Sequence, residues 1–530
     1  MNSISRLLEA YKDNQKAVDA IRLIHHTRNS VFLTGKTGTG KSTLLQLLTS
    51  HIHKKHIVLA PTERTALQVG GEYIHSFFGF KNRTFLPEET ETQQISAAKI
   101  KLLHEVELII INEISLLRCD LMNAIDHSLR TNLGNDLPFG GKQLLMIGDL
   151  YQLPPLIDSQ DKKSVNLLRA NYSSRYFFSA KAFEKDFKYQ IIELSKVYLQ
   201  KDKEFLNLLN AIRVNKVDTN HLDMLNERYG VKGGLPLNFK ISLVSTVAEN
   251  RKINESNLET LDSNLVTFPG EQTGNFASTA SAYPTNPSLE LKTGAQIMFV
   301  KDDNDGRWNN GTIGRIVSIF EDKLLIEIKA GNGTEKHNVL RHTWHKYIYK
   351  WNEEIQSIDR EIKGSFTQFP IKLAWGITIQ NSLGQTFNHV IINLGRKAFA
   401  TGQTYVALSR CTSLKGITLK RPILAEDIIV DKRINLFLET QKQYTTDKNK
   451  HVCLIDHSER SIKQQHLIIE ALEVQTLTIQ EDQQKLLTTL NEQSKKIKIQ
   501  DIDLNTAKDN LNERQLKLNQ AEAELTECEE

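Results

Sequence analysis

Residues 31–45, VFLTGKTGTGKSTLL, run from an apolar stretch through a glycine-rich turn into a helix-forming segment. This feature narrows the fold most, because a strand, a tight glycine turn and a helix in direct succession form a phosphate-binding loop on a parallel α/β sheet. Gly35, Gly38 and Gly40 let the backbone approach a ligand closely, so that successive N–H groups face β- and γ-phosphate oxygens. Lys41 adds a point charge and the Ser42 hydroxyl is a ligand for Mg²⁺, with Thr37, Thr39 and Thr43 completing the lining. A glycine-rich turn that binds nothing is the bland alternative, and the flanking strand and helix count against it.

A chain of 530 residues is too long for one core, and three or four units are expected. Hydrophobic residues at 39% and charged residues at 25% suit a globular protein. Charges interrupt every apolar stretch, so neither a signal peptide nor a membrane span is expected. Cys119, Cys411, Cys453 and Cys528 are scattered, without the spacing of a disulfide framework or a zinc site, which points to the cytoplasm. The net charge of +4 is unevenly spread: 11 Lys/Arg stand against 17 Asp/Glu from Asp447 onward, and 56 against 46 before it. A basic body with an acidic tail suits a polyanionic partner.

Buried parallel strands are expected at Ile57–Ala60, at 106–111 (VELIII) and at 143–147 (QLLMI). Each ends in polar residues: Pro61-Thr62, Asn112-Glu113 and the segment GDLYQLPP. In a parallel sheet these ends share one rim, where ligands bind. A nucleotide hydrolase needs one carboxylate there for the magnesium shell and another to activate water, and only Glu113 is present. Gln152 is placed to donate to a γ-phosphate. Asn14 and Gln15, about one helix before the loop, stand where an amide reads adenine, although a solvated helix start is an equal reading. In GGEYIHSFFGF, His75, Ser76 and Phe77 suit stacking on bases and holding a phosphate, or else a hydrophobic plug under a loop. His51, His53 and His56 lack carboxylate or cysteine partners and read as a solvated basic turn.

A second α/β unit is expected from Tyr189, interrupted at about 300–368 by short alternating runs typical of a small antiparallel barrel. Arg410, near the end of a helix, is a candidate to reach a phosphate across a cleft. From about residue 460 the sequence is helix-forming, and Leu490, Ile497, Leu504, Leu511, Leu518 and Leu525 recur every seven residues. The companion row is poor, so self-association, partner binding and a helix folded back on the body stay open.

These segments together resemble the petite-integration-frequency (PIF) helicases, in the RecD-like branch of superfamily one, from about residue 15 to 425. The ordered motifs are GKTGTGKS, APTERTALQVGG with IHSFFGF, NEIS, PFGGKQLLMIGDLYQLPP, LELKTGAQIMFVK with RWNNGTIG, and GQTYVALSRCTSLKGI. The resemblance implies two RecA-like domains, 1–188 and 189–445, a barrel inserted in the second, and a helical tail at 446–530. It implies ATP and Mg²⁺ in the cleft and single-stranded DNA or DNA junctions across both domains, with 5′-to-3′ movement. Carried over by position, Lys41 and Ser42 hold phosphate and magnesium, Glu113 activates water beside Asn112, Gln152 senses the γ-phosphate and Arg410 is an arginine finger. Pro61, Thr62, His75, Ser76, Phe77, Thr378 and Ser382 fall at DNA-contacting positions.

The chain departs from that pattern where chemistry is done. Asn112 stands where the family has aspartate, Leu199 stands where it has arginine before Gln200, and motif five reads TIQNSLGQT, with Gln380, Asn381, Leu383 and Gln385 altered. An active ATP-dependent helicase for replication, recombination or repair is one reading. A helicase-derived scaffold that grips nucleotide and DNA with little turnover is the other. A phosphate-loop kinase is disfavoured by Arg410 and its surroundings.

Overall fold

The computed structural model describes residues 3–86, 95–157, 160–184, 187–200, 202–231, 239–331, 333–441, 483–496, 498, 501 and 503–520. The chain divides into two compact units, Met1–Glu439 and Thr440–Glu530.

Six strands make the first sheet: β1 (Ser30–Gly35), β2 (His56–Ala60), β3 (Glu72–Tyr73), β4 (Leu108–Asn112), β5 (Gln143–Ile147) and β6 (Tyr189–Leu194). Their order is β3-β2-β4-β5-β1-β6, and every pairing is parallel. Alternate side chains go to opposite faces. Phe32, Ile109 and Met146 pack into one apolar cluster. Val31, Leu33, Ile110 and Leu145 pack into another with Ile21, Ile24 and Leu44 from the helices Gln15–His26 and Lys41–His51. Burial on both faces explains why these strands read as unbroken apolar runs. Because β6 pairs with β1 from Tyr189 to Leu194, the first lobe extends past the expected boundary at 188.

The second lobe carries a smaller parallel sheet, in the order Gly376–Thr378, β7 (Ile241–Val244), Val390–Asn393 and Ile417–Leu419. Between β7 and Gly376 the chain is antiparallel. One sheet has the order Gly333–Leu340, Lys323–Ala330, Ile313–Ile319, Gln296–Phe299 and Ile371–Leu373, around a core that includes Phe299, Ile316 and Ile326. A long hairpin, His342–Asn352 with Ser357–Gln368, pairs with Glu271–Gly274. The insert is therefore broader than 300–368, and hydrogen bonding leaves its larger sheet with two edges instead of closing it into a barrel. Its hairpin is bonded to the first lobe, since Val58 N–H donates to the Tyr349 hydroxyl (3.0 Å) and Tyr349 N–H to the Glu72 carboxylate (3.0 Å).

In the second unit, residues 483–496, 498, 501 and 503–520 are helical, and Leu490, Leu504, Leu511 and Leu518 are exposed. Ile497, Leu525 and the tail from 446 to 482 lie outside the described residues.

Candidate functional site

The turn after β1 is shaped by what crowds it. Gly38 takes φ +79°, and a Cβ there would lie 2.7 Å from the Leu199 Cβ, so no other residue fits. The Tyr198 N–H donates to the Gly38 carbonyl (2.9 Å), and its ring passes 3.8 Å from where a Gly40 side chain would begin. Beneath the turn the Lys41 ammonium donates to the carbonyls of Gly35 (2.7 Å) and Lys36 (3.1 Å), and the Thr39 hydroxyl donates to Lys36 (2.9 Å). Ser42 and Thr43, the first residues after Lys41 on the following helix, are exposed at the loop.

Thr37 is where the two lobes meet. Its N–H donates to the Tyr405 hydroxyl (3.2 Å), and its own hydroxyl donates to Ser409 (3.3 Å). Arg410 donates to the Thr37 hydroxyl oxygen from the second lobe (3.1 Å), and Gln152 donates to it from the first (3.4 Å). Lys41 and Arg410 thus come to the same turn from the two lobes, near enough that Arg410 disfavours the Lys41 charge. Arg410 is buried, with its remaining donors on the carbonyls of Val406, Ser382 and Gln385.

Desolvation sets the electrostatics of this cleft. It pushes Lys41 below its ordinary pKa against the opposing pull of Asp149 and Glu113, and it pushes Arg410 down to about 10. The same cause raises the Glu113 carboxyl, against Lys41 and Arg410. Glu113 also sits at φ +53°, a left-handed backbone rarely adopted by a non-glycine residue, at the end of β4 beside buried Asn112.

Several functional side chains escaped the sequence reading. Asp149 is buried, accepts from Gln152 (3.4 Å) and pairs with Arg213 (2.9 Å), which also reaches Glu193 (3.2 Å) and lies over the Tyr151 ring. Burial opposes the Arg213 charge, but Asp149 outweighs it and holds the pKa above its ordinary value. Tyr405 and Ser409 lie four residues apart on the helix Gln403–Ser409, which Arg410 caps, so that same-face spacing was the available signal. Buried Gln200 donates to the carbonyls of Ser409 (3.3 Å) and Cys411 (3.4 Å), tying the Leu199-Gln200 segment to the second lobe while Leu199 packs on the loop.

The Gln15 amide donates to Asp19 (2.7 Å), four residues along its own helix. Asn14 is the nearby amide, buried, capping its helix and donating to the Tyr198 hydroxyl (3.1 Å).

A groove of about 490 Å³ opens elsewhere, lined by Pro61, Thr62, His75 and Ser76 of the first lobe and by Lys346 and Lys363 of the insert. Among the expected DNA contacts these four are brought together. Phe77 is not available, because it is 1% exposed in the core, with the Lys99 ammonium 4.0 Å from its ring centroid. Ser382 is 0% exposed, and its hydroxyl donates to Ile379 (2.7 Å) while its carbonyl holds Arg410, so its task is to support the arginine. Thr378 is buried and accepts from the Asn381 N–H (3.2 Å). Asn381, one of the altered motif-five residues, accepts from Arg64 (2.7 Å) and so bridges the lobes. His75 stacks on Tyr73, has a buried Nδ1 without a partner, and is pushed by desolvation to about 4, so it is neutral at physiological pH.

The chain matches the PIF1-like helicase family over residues 10–222. It is 34% identical to Bacteroides sp Pif1 in complex with ADP-AlF4, with a TM-score of 0.75, covering 81% of this chain and 97% of that one. Against Bacteroides Pif1 bound to ssDNA the identity is 33% and the TM-score 0.58, over 82% and 97% of the two chains. Among sequence relatives, the ATP-dependent DNA helicase Pif1 of Psychrobacter sp. is 28% identical over 450 residues, 74% of this chain, which spans 66% of that relative's length. Motif order, two parallel-sheet lobes sharing one phosphate cleft, and these likenesses agree: the chain belongs to the PIF1-like helicase family.

Proposed function

We propose that the chain is an ATP-dependent DNA helicase that moves 5′ to 3′ on single-stranded DNA and couples ATP hydrolysis to unwinding in replication, recombination or repair. The observation that carries this reading is the convergence of Gln152 and Arg410 on Thr37, one from each lobe.

A triphosphate entering the turn draws the Lys41 ammonium from the Gly35 and Lys36 carbonyls, and Arg410 and Gln152 turn their N–H groups from the Thr37 hydroxyl to the γ-phosphate. Glu113, raised toward neutrality by desolvation, accepts a proton from the attacking water. A magnesium ion would be held by the Ser42 hydroxyl, the Asn112 amide oxygen and Glu113, an all-oxygen donor set that suits it, and would supply charge neutralisation to the phosphate oxygens. Domain closure on ATP and its release after hydrolysis then alternate the grip of the lobes on a strand seated at Pro61, Thr62, His75 and Ser76, with the Arg64–Asn381 bridge linking strand groove and cleft. Leu490, Leu504, Leu511 and Leu518, exposed at the heptad positions of the tail, suit self-association or a protein partner. Buried free cysteines Cys119 and Cys411 suit a reducing cytoplasm.

A scaffold with little turnover is favoured by Asn112 and by Leu199, whose side chain packs against the loop and supplies no cation. Steady-state ATP hydrolysis with and without single-stranded DNA separates the two. Stimulated turnover in the unmodified chain supports the helicase, and turnover that appears only in Asn112→Asp or Leu199→Arg supports the scaffold.

A further inference from the structure

Glu63 stands directly after Thr62, inside the groove, and is the one carboxylate among lining residues that include Arg64, Lys346 and Lys363. Its oxygens are fully engaged. One accepts from the Lys346 ammonium (2.9 Å), and the other accepts from both the N–H (3.1 Å) and the hydroxyl (2.7 Å) of Ser278. Burial alone would raise this carboxyl, but the hydrogen bonds from Lys346 and Ser278 outweigh it and hold the group below its usual range, so it is anionic at neutral pH. Glu63 and Lys346 are only 12% and 16% exposed, and the contact joins the first lobe to two separate parts of the insert. An ammonium, a hydroxyl and a backbone N–H converging on a pair of anionic oxygens are also the donors that hold the non-bridging oxygens of a phosphodiester.

We propose that Ser278 and Lys346 form a seat for a backbone phosphate of single-stranded DNA, and that the Glu63 carboxylate fills this seat until a strand displaces it. The inference rests on the DNA-binding reading above. Glu63 lowers strand affinity, because each binding event first breaks an ion pair and two further hydrogen bonds. It also favours discrimination: a short anion with no other contacts in the groove does not replace the internal carboxylate, whereas a strand held at Thr62, His75 and Ser76 does.

The test is fluorescence anisotropy of a labelled oligothymidylate with the full chain, without nucleotide, across a salt series. Glu63→Gln is expected to tighten binding about tenfold at low salt. With Lys346 no longer neutralised from within, it is also expected to steepen the slope of log K against log salt by about 0.7. Lys346→Gln in the Glu63→Gln background is expected to cancel both changes. Strand affinity equal to or weaker than that of the unmodified chain, in a Glu63→Gln protein with unchanged thermal unfolding, overturns the proposal. Should Glu63→Gln fail to fold, Ser278→Ala serves: it weakens the latch and the seat together, so the salt slope stays fixed, and a changed slope overturns the proposal. No strand binding by any of the proteins, the unmodified chain included, overturns the DNA-binding reading itself and this inference with it.

Discussion

The nucleotide cleft and the strand groove are both lined with cations, yet they hold them in opposite conditions. In the cleft, Lys41 and Arg410 are desolvated and spend their donors on neutral carbonyls and on Thr37, and both pKa values are pushed down as a result. In the groove, Lys346 is already paired with Glu63. The cleft waits for an anion, and the groove carries a substitute for one. On the proposed reading, binding nucleotide relieves a cost already present in the free protein, whereas binding a strand first adds one.

The largest effect that tests this contrast is on the cleft. Arg410→Ala is expected to lower kcat for ATP by about 10³-fold or more, because the guanidinium acts on charge that develops during phosphoryl transfer. A loss below tenfold would show that the lobes do not close on the nucleotide. Next in size is Gly402→Ala. Gly402 has φ +72°, and a Cβ there would lie 2.4 Å from the carbonyl oxygens of Tyr151 and Gln152. The methyl forces the lobes apart next to Gln152, and about a hundredfold loss of kcat with a smaller change in KM is expected from steady-state kinetics. Asn112→Asp and Leu199→Arg are each expected to raise turnover about tenfold by restoring a charge to the dry cleft, Leu199→Arg only if its longer side chain clears Gly38.

The smallest effect concerns the groove and pH. His75 has its pKa pushed by burial to about 4, below the ordinary value of 6.5, so between those limits the unfolded chain binds more protons than the folded one. Stability from this group is present above pH 6.5 and is lost as pH falls toward 4. His75→Asn is expected to lessen the acid-induced drop in Tm by about a degree or two, measured by thermal unfolding between pH 7 and pH 4.

The cleft was more legible in sequence than the groove, for a physical reason. Phosphate recognition uses backbone and a few residue types with definite chemistry, so Gly38, Lys41 and Gln152 could be read at once, and Arg410 as a candidate to reach across a cleft. The groove is assembled from Thr62, His75, Ser278 and Lys346, which are far apart in sequence and joined only when the insert folds over the first lobe. The sequence left stacking and a hydrophobic plug both open for IHSFF, and Phe77 takes the plug while His75 lines the groove, a division set by Lys99 and the neighbouring apolar cluster. Asp149 and Arg213 escaped for a similar reason. A buried ion pair between residues 64 positions apart has no local signature. The first boundary was misplaced because β6 is an edge strand added to the sheet after a long excursion, and only its pairing with β1 shows where it belongs.

The account depends on the cleft and the groove being coupled, so that nucleotide between the lobes alters the hold on a strand. The most direct measurement is the affinity of the unmodified chain for labelled single-stranded DNA, with and without a saturating non-hydrolysable ATP analogue, repeated with Arg410→Ala. The account predicts a change of about fivefold or more that disappears in the variant. Equal strand affinity with and without bound analogue in the unmodified chain would contradict it.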